Sequence, residues 1–427
     1  MSLEESDKKN IWHPFTPLAD GFEPLLVDSA QGVYLHLHDG RKIIDAVSSW
    51  WVNIHGHGNP FIAQAIADQA RKMEHVIFAG FTHEPAIRLA ENLLTILPEN
   101  QSKIFFSDNG STAVEVALKM AIQYLHNRGI HNKRKIVAID GAYHGDTFGA
   151  MSVGERGAFT APFGHYLFDV DFIEFPTEET KTDVIRQFEQ KIATGQVAAF
   201  IYEPLVQGAA GMRMYGPEVL EKLISLARRH DVICIADEVF TGFGRTGKNF
   251  ASEYVNIPPD IMAVSKGITG GFMPLGVTSC SEKIAAAFQS PEASKTFFHG
   301  HSYTANPIAC AAANASFGLL VAEECQNRIG HIARRHDQFA ASIKNHNAIK
   351  NVRNRGTILA VELKTKEGTS YFNDIRKNIY SFFLERNILL RPLGNVFYVL
   401  PPYVIQDSEL DEIYQAIEAF LDQLTEK

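Results

Sequence analysis

Val232-Ile-Cys-Ile-Ala-Asp-Glu-Val239 decides the fold: it is an apolar run that stops in two adjacent carboxylates. Ile261-Met-Ala-Val-Ser-Lys-Gly267 repeats the plan, with an amine where the first run has an acid. Short continuous apolar runs of this kind read as strands buried on both faces of a parallel sheet. Side by side, they bring Asp237 and Lys266 together at the carboxyl edge, where open α/β sheets hold their ligands. Between them, Thr241-Gly-Phe-Gly-Arg-Thr-Gly247 is too rich in glycine to continue as helix or strand.

Working outward, further short apolar runs at 103–107, 135–139 and 197–202 alternate with helical periodicity at 61–73, 113–126 and 217–230. Alternation of strand, polar loop and helix predicts an α/β fold with a mainly parallel sheet covered by helices. The character changes after Thr304. Asn306-Pro307 opens an alanine-rich helix to Leu320, and 323–346 reads as an amphipathic linking helix. Beyond it lies a smaller α+β unit in which 356–363 and 395–400 alternate like exposed-edge strands, closed by a helix over 407–424. At the other end, residues 1–10 read as a loose tail and 33–45 as a β-hairpin around Asp39-Gly40. Neither end has a full core alone, so the two are expected to pack together. The division expected is therefore 1–58 (packing with the small domain), 59–322 (the large domain) and 323–427 (the C-terminal small domain).

Composition narrows the function. A formal charge of −9 argues against nucleic acid, whose recognition needs basic stripes. The four cysteines are scattered, Cys234 and Cys310 within apolar segments, which suits a reducing cytoplasm. The first residues are polar, with no apolar core of a signal peptide, and no apolar run approaches the ~18 residues that span a bilayer. The expectation is a cytoplasmic protein without membrane or nucleic-acid partners. His55-Gly-His57 and the His299/His301 pair lack the further ligands of a closed metal site, so no metal is expected.

The chemistry gathers at the strand ends. Lys266 alone reads as a solvated strand end; followed by Gly267 and Thr269-Gly270-Gly271, which let backbone pass close to a ligand, it reads as a desolvated amine nucleophile. Asp237 and Glu238 are expensive to bury together unless a cation awaits them. An amine and a carboxylate so placed suit pyridoxal 5'-phosphate, the amine binding as an imine and Asp237 keeping the pyridine nitrogen protonated. Asp108-Asn-Gly-Ser-Thr112, between strand and helix, reads either as plain capping or as a phosphate cup at a helix N-terminus. Tyr143, in Tyr143-His-Gly-Asp146, offers a ring to stack on a flat cofactor, or is a buried tyrosine satisfied locally. Glu203 and Arg245 fall at the same edge, as a gating ion pair or as structural charges.

Ile235-Ala-Asp-Glu-Val239, Thr241–Gly247, Ser265-Lys-Gly267 and Tyr143-His-Gly-Asp146, in this order and spacing, resemble the class-III (ω-) aminotransferases, pyridoxal-phosphate enzymes of fold type I. The resemblance runs over nearly the whole chain and implies a seven-stranded, mainly parallel sheet in the large domain. Ser48-Ser-Trp-Trp51, Val206-Gln-Gly-Ala209, Gly211-Met-Arg-Met-Tyr215 and Arg391-Pro392 are similar to the branch that aminates 8-amino-7-oxononanoate in biotin biosynthesis. By that resemblance Lys266 is the imine-forming lysine and Asp237 the pyridinium partner. Gly110 and Ser111 belong to the phosphate turn, and Tyr143 covers cofactor and substrate. Trp50 walls the substrate pocket, Gly300 touches substrate and Arg391 meets its carboxylate. His301 and Ser302 belong to a cofactor-phosphate loop donated by the other subunit, which implies a homodimer with shared sites. Phe15 stands at a substrate position where tyrosine is usual. Trp50 resembles the branch using S-adenosylmethionine as amino donor, whereas Phe15 and His301-Ser302 resemble the branch using lysine. Adenosylmethionine is the expected donor, with lysine, or another ω-amino substrate pair, as the alternative.

Overall fold

The computed structural model describes residues 2–18, 23–366 and 368–425. Seven strands form the central sheet: β1 (Gln101–Ser107), β2 (Lys135–Ile139), β3 (Asp171–Ile173), β4 (Val197–Tyr202), β5 (Ile233–Asp237), β6 (Ile261–Val264) and β7 (Gly276–Ser281). Their order across the sheet is β1-β7-β6-β5-β4-β2-β3. β7 runs antiparallel to β6 and β1, and the remaining neighbours are parallel. Every residue of β4, β5, β6 and β7 is buried, which is why these runs show no polar alternation.

The strand period of two divides the core between the two faces. Ile233 and Ile235 of β5 pack with the Gly110–Asn127 helix, while Cys234 and Ala236 join the core that includes the Pro217–Arg229 helix. That helix starts at Gly216 with Pro217 in its first turn and buries Val219, Leu220, Leu223, Ile224 and Ala227, one stripe at helical spacing. Register then aligns the chemistry. Asp237 lies opposite Ala263 on β6, and Ala236 opposite Tyr202 on β4. The residues that leave these strands, Glu203 after β4, Asp237 ending β5 and Ser265-Lys266 after β6, therefore emerge at one edge.

The two chain ends share a sheet. Strands Val27–Gln31, Tyr34–Leu37 and Lys42–Asp45 are joined by Ile388–Leu389, which pairs in parallel with the last of them. Two expectations fail. Ile358–Leu363 and Val396–Val399 are fully buried rather than exposed edges, and the former is the middle strand of an antiparallel three-stranded sheet. The Asp407–Thr425 helix buries Leu410, Ile413, Ile417 and Phe420, and Phe420 packs on Phe397 of that sheet. Nor is the N-terminus a loose tail: Leu3–Asn10 is a helix closed by a capping box, in which Ser2 Oγ accepts from the Glu5 amide and the Glu5 carboxylate from the Ser2 amide. Among the described residues no single helix is long and apolar enough to cross a membrane.

Candidate active site

A cavity of about 900 Å³ opens at the carboxyl edge of the sheet. Asp237, Lys266, Gly110, Ser111, Tyr143, Phe15, Trp50 and Arg391 all line it. Gly300, His301 and Ser302 do not; they lie on a segment where Phe298 and Tyr303 are 73% and 65% exposed.

Asp237 is held from two sides. Its Oδ2 accepts from Nδ1 of His144 at 2.6 Å and its Oδ1 from the Val239 amide at 3.0 Å. His144 is buried, and its Nε2 has no partner in the protein. Glu203 lies beside them, accepting from the amides of Tyr143 and Gly208, each at 3.0 Å. Burial pushes the Glu203 carboxyl up to about 7; His144 works against the shift and Asp237 adds to it.

Lys266 leaves β6 with a φ of +45°, in the left-handed region. Its ammonium reaches the face of Trp51, 4.9 Å from the ring centroid. Enclosure by protein lowers its pKa from the usual lysine range; Asp237 and Glu203 oppose this and Arg245 adds to it. An amine so placed holds a larger neutral fraction than a solvated lysine, as nucleophilic and basic catalysis requires.

The Gly110–Asn127 helix faces the cavity with its N-terminus. Capping falls to Asn109 and Thr112, which exchange reciprocal bonds at 2.9 and 3.2 Å. Ser111 is therefore not the cap: its hydroxyl accepts from the Asp146 amide at 3.2 Å and joins the helix start to the Tyr143 loop. Space here is tight. A Cβ on Gly145, whose φ is +125°, would lie 2.1 Å from Ser111 Oγ and 2.8 Å from Ser111 Cα.

The opposite wall is a left-handed turn. Ser48, Ser49, Trp50 and Trp51 have φ of +50°, +43°, +68° and +76°, and each non-glycine residue held there costs ~1–2 kcal/mol. Trp50 lies under the Arg391 guanidinium, 4.2 Å from ring to charge, and edge-on to Phe15 at 5.4 Å. Phe15 also meets Phe159, which packs on Tyr371 at 4.8 Å. Trp51, Phe159, Phe240 and Tyr371 line the cavity without having been singled out in the sequence. The Trp-Trp pair carried a signal for the first; the others come from loops whose convergence no local pattern reveals.

Among the described residues the gating pair is not formed, which leaves the structural reading of Glu203 and Arg245. Arg245 is fully buried and donates to the carbonyls of Pro401 and Trp51, each at 3.1 Å. Glu238 awaits no cation either. Its carboxylate accepts from the Thr241 hydroxyl and the amides of Ala251 and Ser252, so fixed dipoles meet the cost of burial. Of the paired histidines, His55 bonds to Ser316, His57 to Asp45 and Asn53, and His299 to Lys119, while His301 Nδ1 accepts from the Tyr303 amide.

The donor set fits pyridoxal phosphate. A helix N-terminus and a hydroxyl suit the phosphate, a carboxylate suits the ring nitrogen, and an amine suits the carbonyl. The bare Cα of Gly145 is what lets the loop close on Ser111. Comparison with known proteins agrees. The chain belongs to the class-III aminotransferases, whose family pattern matches residues 18–421. It is 49% identical over 423 residues to the adenosylmethionine-8-amino-7-oxononanoate aminotransferase of Synechococcus elongatus, covering 97% of this chain and 99% of that protein. The crystal structure of an enzyme of that name from Methanocaldococcus jannaschii superposes with a TM-score of 0.92 at 35% identity, covering 98% of each chain. An amine transaminase from an uncultivated Pseudomonas species, solved in its PLP-bound form, superposes with a TM-score of 0.91 at 30% identity, covering 97% of this chain and 98% of that one.

Proposed function

We infer that the protein is a pyridoxal-phosphate-dependent aminotransferase that moves an amino group from S-adenosylmethionine to 8-amino-7-oxononanoate, yielding 7,8-diaminononanoate for biotin biosynthesis. The observation that carries the site reading is one cavity with a desolvated lysine, a histidine-held aspartate and a helix N-terminus at its inner end, and an arginine on an aromatic wall at its mouth. When bound, pyridoxal phosphate supplies an electrophilic carbonyl and a ring that takes up the electron pair left when a C–H bond breaks.

The chain's own residues do the rest. Gly110 and Ser111 hold the phosphate, and Asp237, fixed by His144, keeps a negative charge facing the ring nitrogen. Nζ of Lys266 would take the proton from the donor's α-carbon and deliver it to the cofactor's carbonyl carbon, and in the return half move a proton the opposite way onto the acceptor's carbon, acting as base and then acid in each half. Tyr143 covers the cofactor. Arg391 meets the carboxylate of the keto acid, whose aliphatic chain lies against Trp50 and Phe15.

The same reading assigns Gly300, His301 and Ser302 to the site of a second copy, making a homodimer with shared sites. Their separation from this chain's cavity supports it, as do the exposed Phe298 and Tyr303 beside them in sequence and the exposed Ile77 and Phe81 on the segment whose His75 packs against Tyr303. It also takes 59–322 as the large domain, with 1–58 and 323–427 as the smaller unit, and places the enzyme in the cytoplasm. The test is formation of 7,8-diaminononanoate with adenosylmethionine or lysine supplied separately. Adenosylmethionine is expected to support turnover and lysine not; turnover with lysine alone contradicts the donor assignment.

A further inference from the structure

We propose that Asp45 is a positioning residue: it holds the left-handed turn Ser48–Trp51 and so sets the span between Lys266 and Arg391. The proposal rests on reading those two as the reactive amine and the carboxylate partner.

Asp45 is completely buried at the end of the Lys42–Asp45 strand. Its Oδ1 accepts from the Val47 amide at 3.2 Å, and its Oδ2 from the Ser49 hydroxyl at 2.7 Å and His57 Nε2 at 2.9 Å. One neutral tautomer of His57, with the proton on Nε2, satisfies both this bond and the one its Nδ1 accepts from Asn53 at 3.0 Å. The carboxylate is thus surrounded by donors, each from the segment that contains the turn.

The turn needs such a holder. Four consecutive non-glycine residues have positive φ, a conformation that L-residues visit singly rather than in runs. Its ends are tied to the small sheet: Ser48 Oγ donates to the Leu400 carbonyl at 2.7 Å, and Trp51 Nε1 to Tyr398 Oη at 3.0 Å. Within the turn, the Ser49 side chain is tied to Asp45.

What the turn carries explains the arrangement. Trp51 presents its face to Lys266, and the preceding Trp50 presents its face to Arg391. Arg391 is fixed by the same frame, because Asp45 stands opposite Leu389, two residues before it. One buried carboxylate thus references both indoles, and through them the two ends of the site, to a single strand pair. Spacing of this kind selects a substrate by the distance from its reacting carbon to its carboxylate, and small misplacements are costly.

The test compares Ser49→Gly, Ser49→Asn and Asp45→Asn in a Trp12→Phe background, so that indole emission comes from Trp50 and Trp51. Trp12 is 76% exposed and serves only as background signal. Glycine adopts positive φ freely, so Ser49→Gly should keep the parental melting temperature while losing the tie to Asp45. It should roughly double acrylamide quenching as the turn opens locally. It should raise KM for the keto acid about tenfold with kcat changed less than about threefold, the signature of lost binding rather than lost chemistry. Asparagine tolerates left-handed backbone and can donate to Asp45, so Ser49→Asn should restore quenching and KM to within about twofold. Asp45→Asn should reproduce the Ser49→Gly pattern and also lower the melting temperature. Parental quenching and KM in Ser49→Gly would overturn the proposal, as would a rise in KM with no change in quenching. A parent that does not turn over the keto acid defeats the site reading alone, and the quenching comparison then still decides for or against the turn.

Discussion

Glu203 shows how a single buried carboxyl couples stability to pH. In an unfolded chain it titrates near ~4.3, and in the folded protein burial holds it at about 7. Between those values the native state keeps a proton that the unfolded chain has lost, so stability from this group falls as pH rises. Its contribution is full below the unfolded pKa and is lost as pH passes through the folded one. Glu203→Gln in the cofactor-free protein should remove this fall, with the two stability profiles differing in slope by up to ~1.4 kcal/mol per pH unit between pH ~4.5 and 7. Denaturant titrations that stay parallel across that range would contradict the assignment. Lys266→Ala should cut product formation by at least about 10²–10⁴-fold, the range for losing a positioned general base, while leaving the fold intact by circular dichroism. Asp237 and Lys266 were legible in the sequence because each ends an apolar run abruptly. The partners of Glu203, Glu238 and Arg245 were not, since charge alone does not say whether a carboxylate meets a cation, an amide or a hydroxyl.

At the scale of elements, the strand ends and the Gly110 helix were readable from periodicity, but their caps and turns only partly. Asn109 and Thr112 form the capping box, which frees Ser111 to join the Tyr143 loop. Gly145→Ala tests that junction. Rotating Ser111 cannot relieve the clash, because the added Cβ also lies within 2.8 Å of Ser111 Cα. We expect pyridoxal phosphate to bind at least about tenfold more weakly by absorbance titration, a change worth ~1.4 kcal/mol; unchanged affinity would remove this loop from the phosphate site. The left-handed turn at Ser48–Trp51 left no trace in the sequence, since no glycine or asparagine marks it and its cost is met by the buried Asp45 and by Leu400 and Tyr398 far along the chain, contacts that no local pattern shows. For the same reason, Ile358–Leu363 read as an edge: whether a strand lies at the rim or in the middle depends on what packs over it.

At the scale of the molecule, the two chain ends meet in one sheet, and this brings Phe15, Trp50 and Arg391 to the mouth of a cavity whose chemistry belongs to the centre of the chain. That the ends would pack together followed from their incomplete cores. That Phe159 and Tyr371 would roof the same mouth did not, because it needs two distant loops to converge. Gly300, His301 and Ser302 lack a role in this chain's own cavity, so sedimentation should give a particle of twice the chain mass; a monomer that is fully active would contradict the shared-site reading. The central claim is amino transfer from adenosylmethionine, and nitrogen labelling tests it most directly. With ¹⁵N at the α-amino group of S-adenosylmethionine and unlabelled 8-amino-7-oxononanoate, mass spectrometry should find one ¹⁵N in every molecule of 7,8-diaminononanoate formed. Product that carries no label would contradict the account.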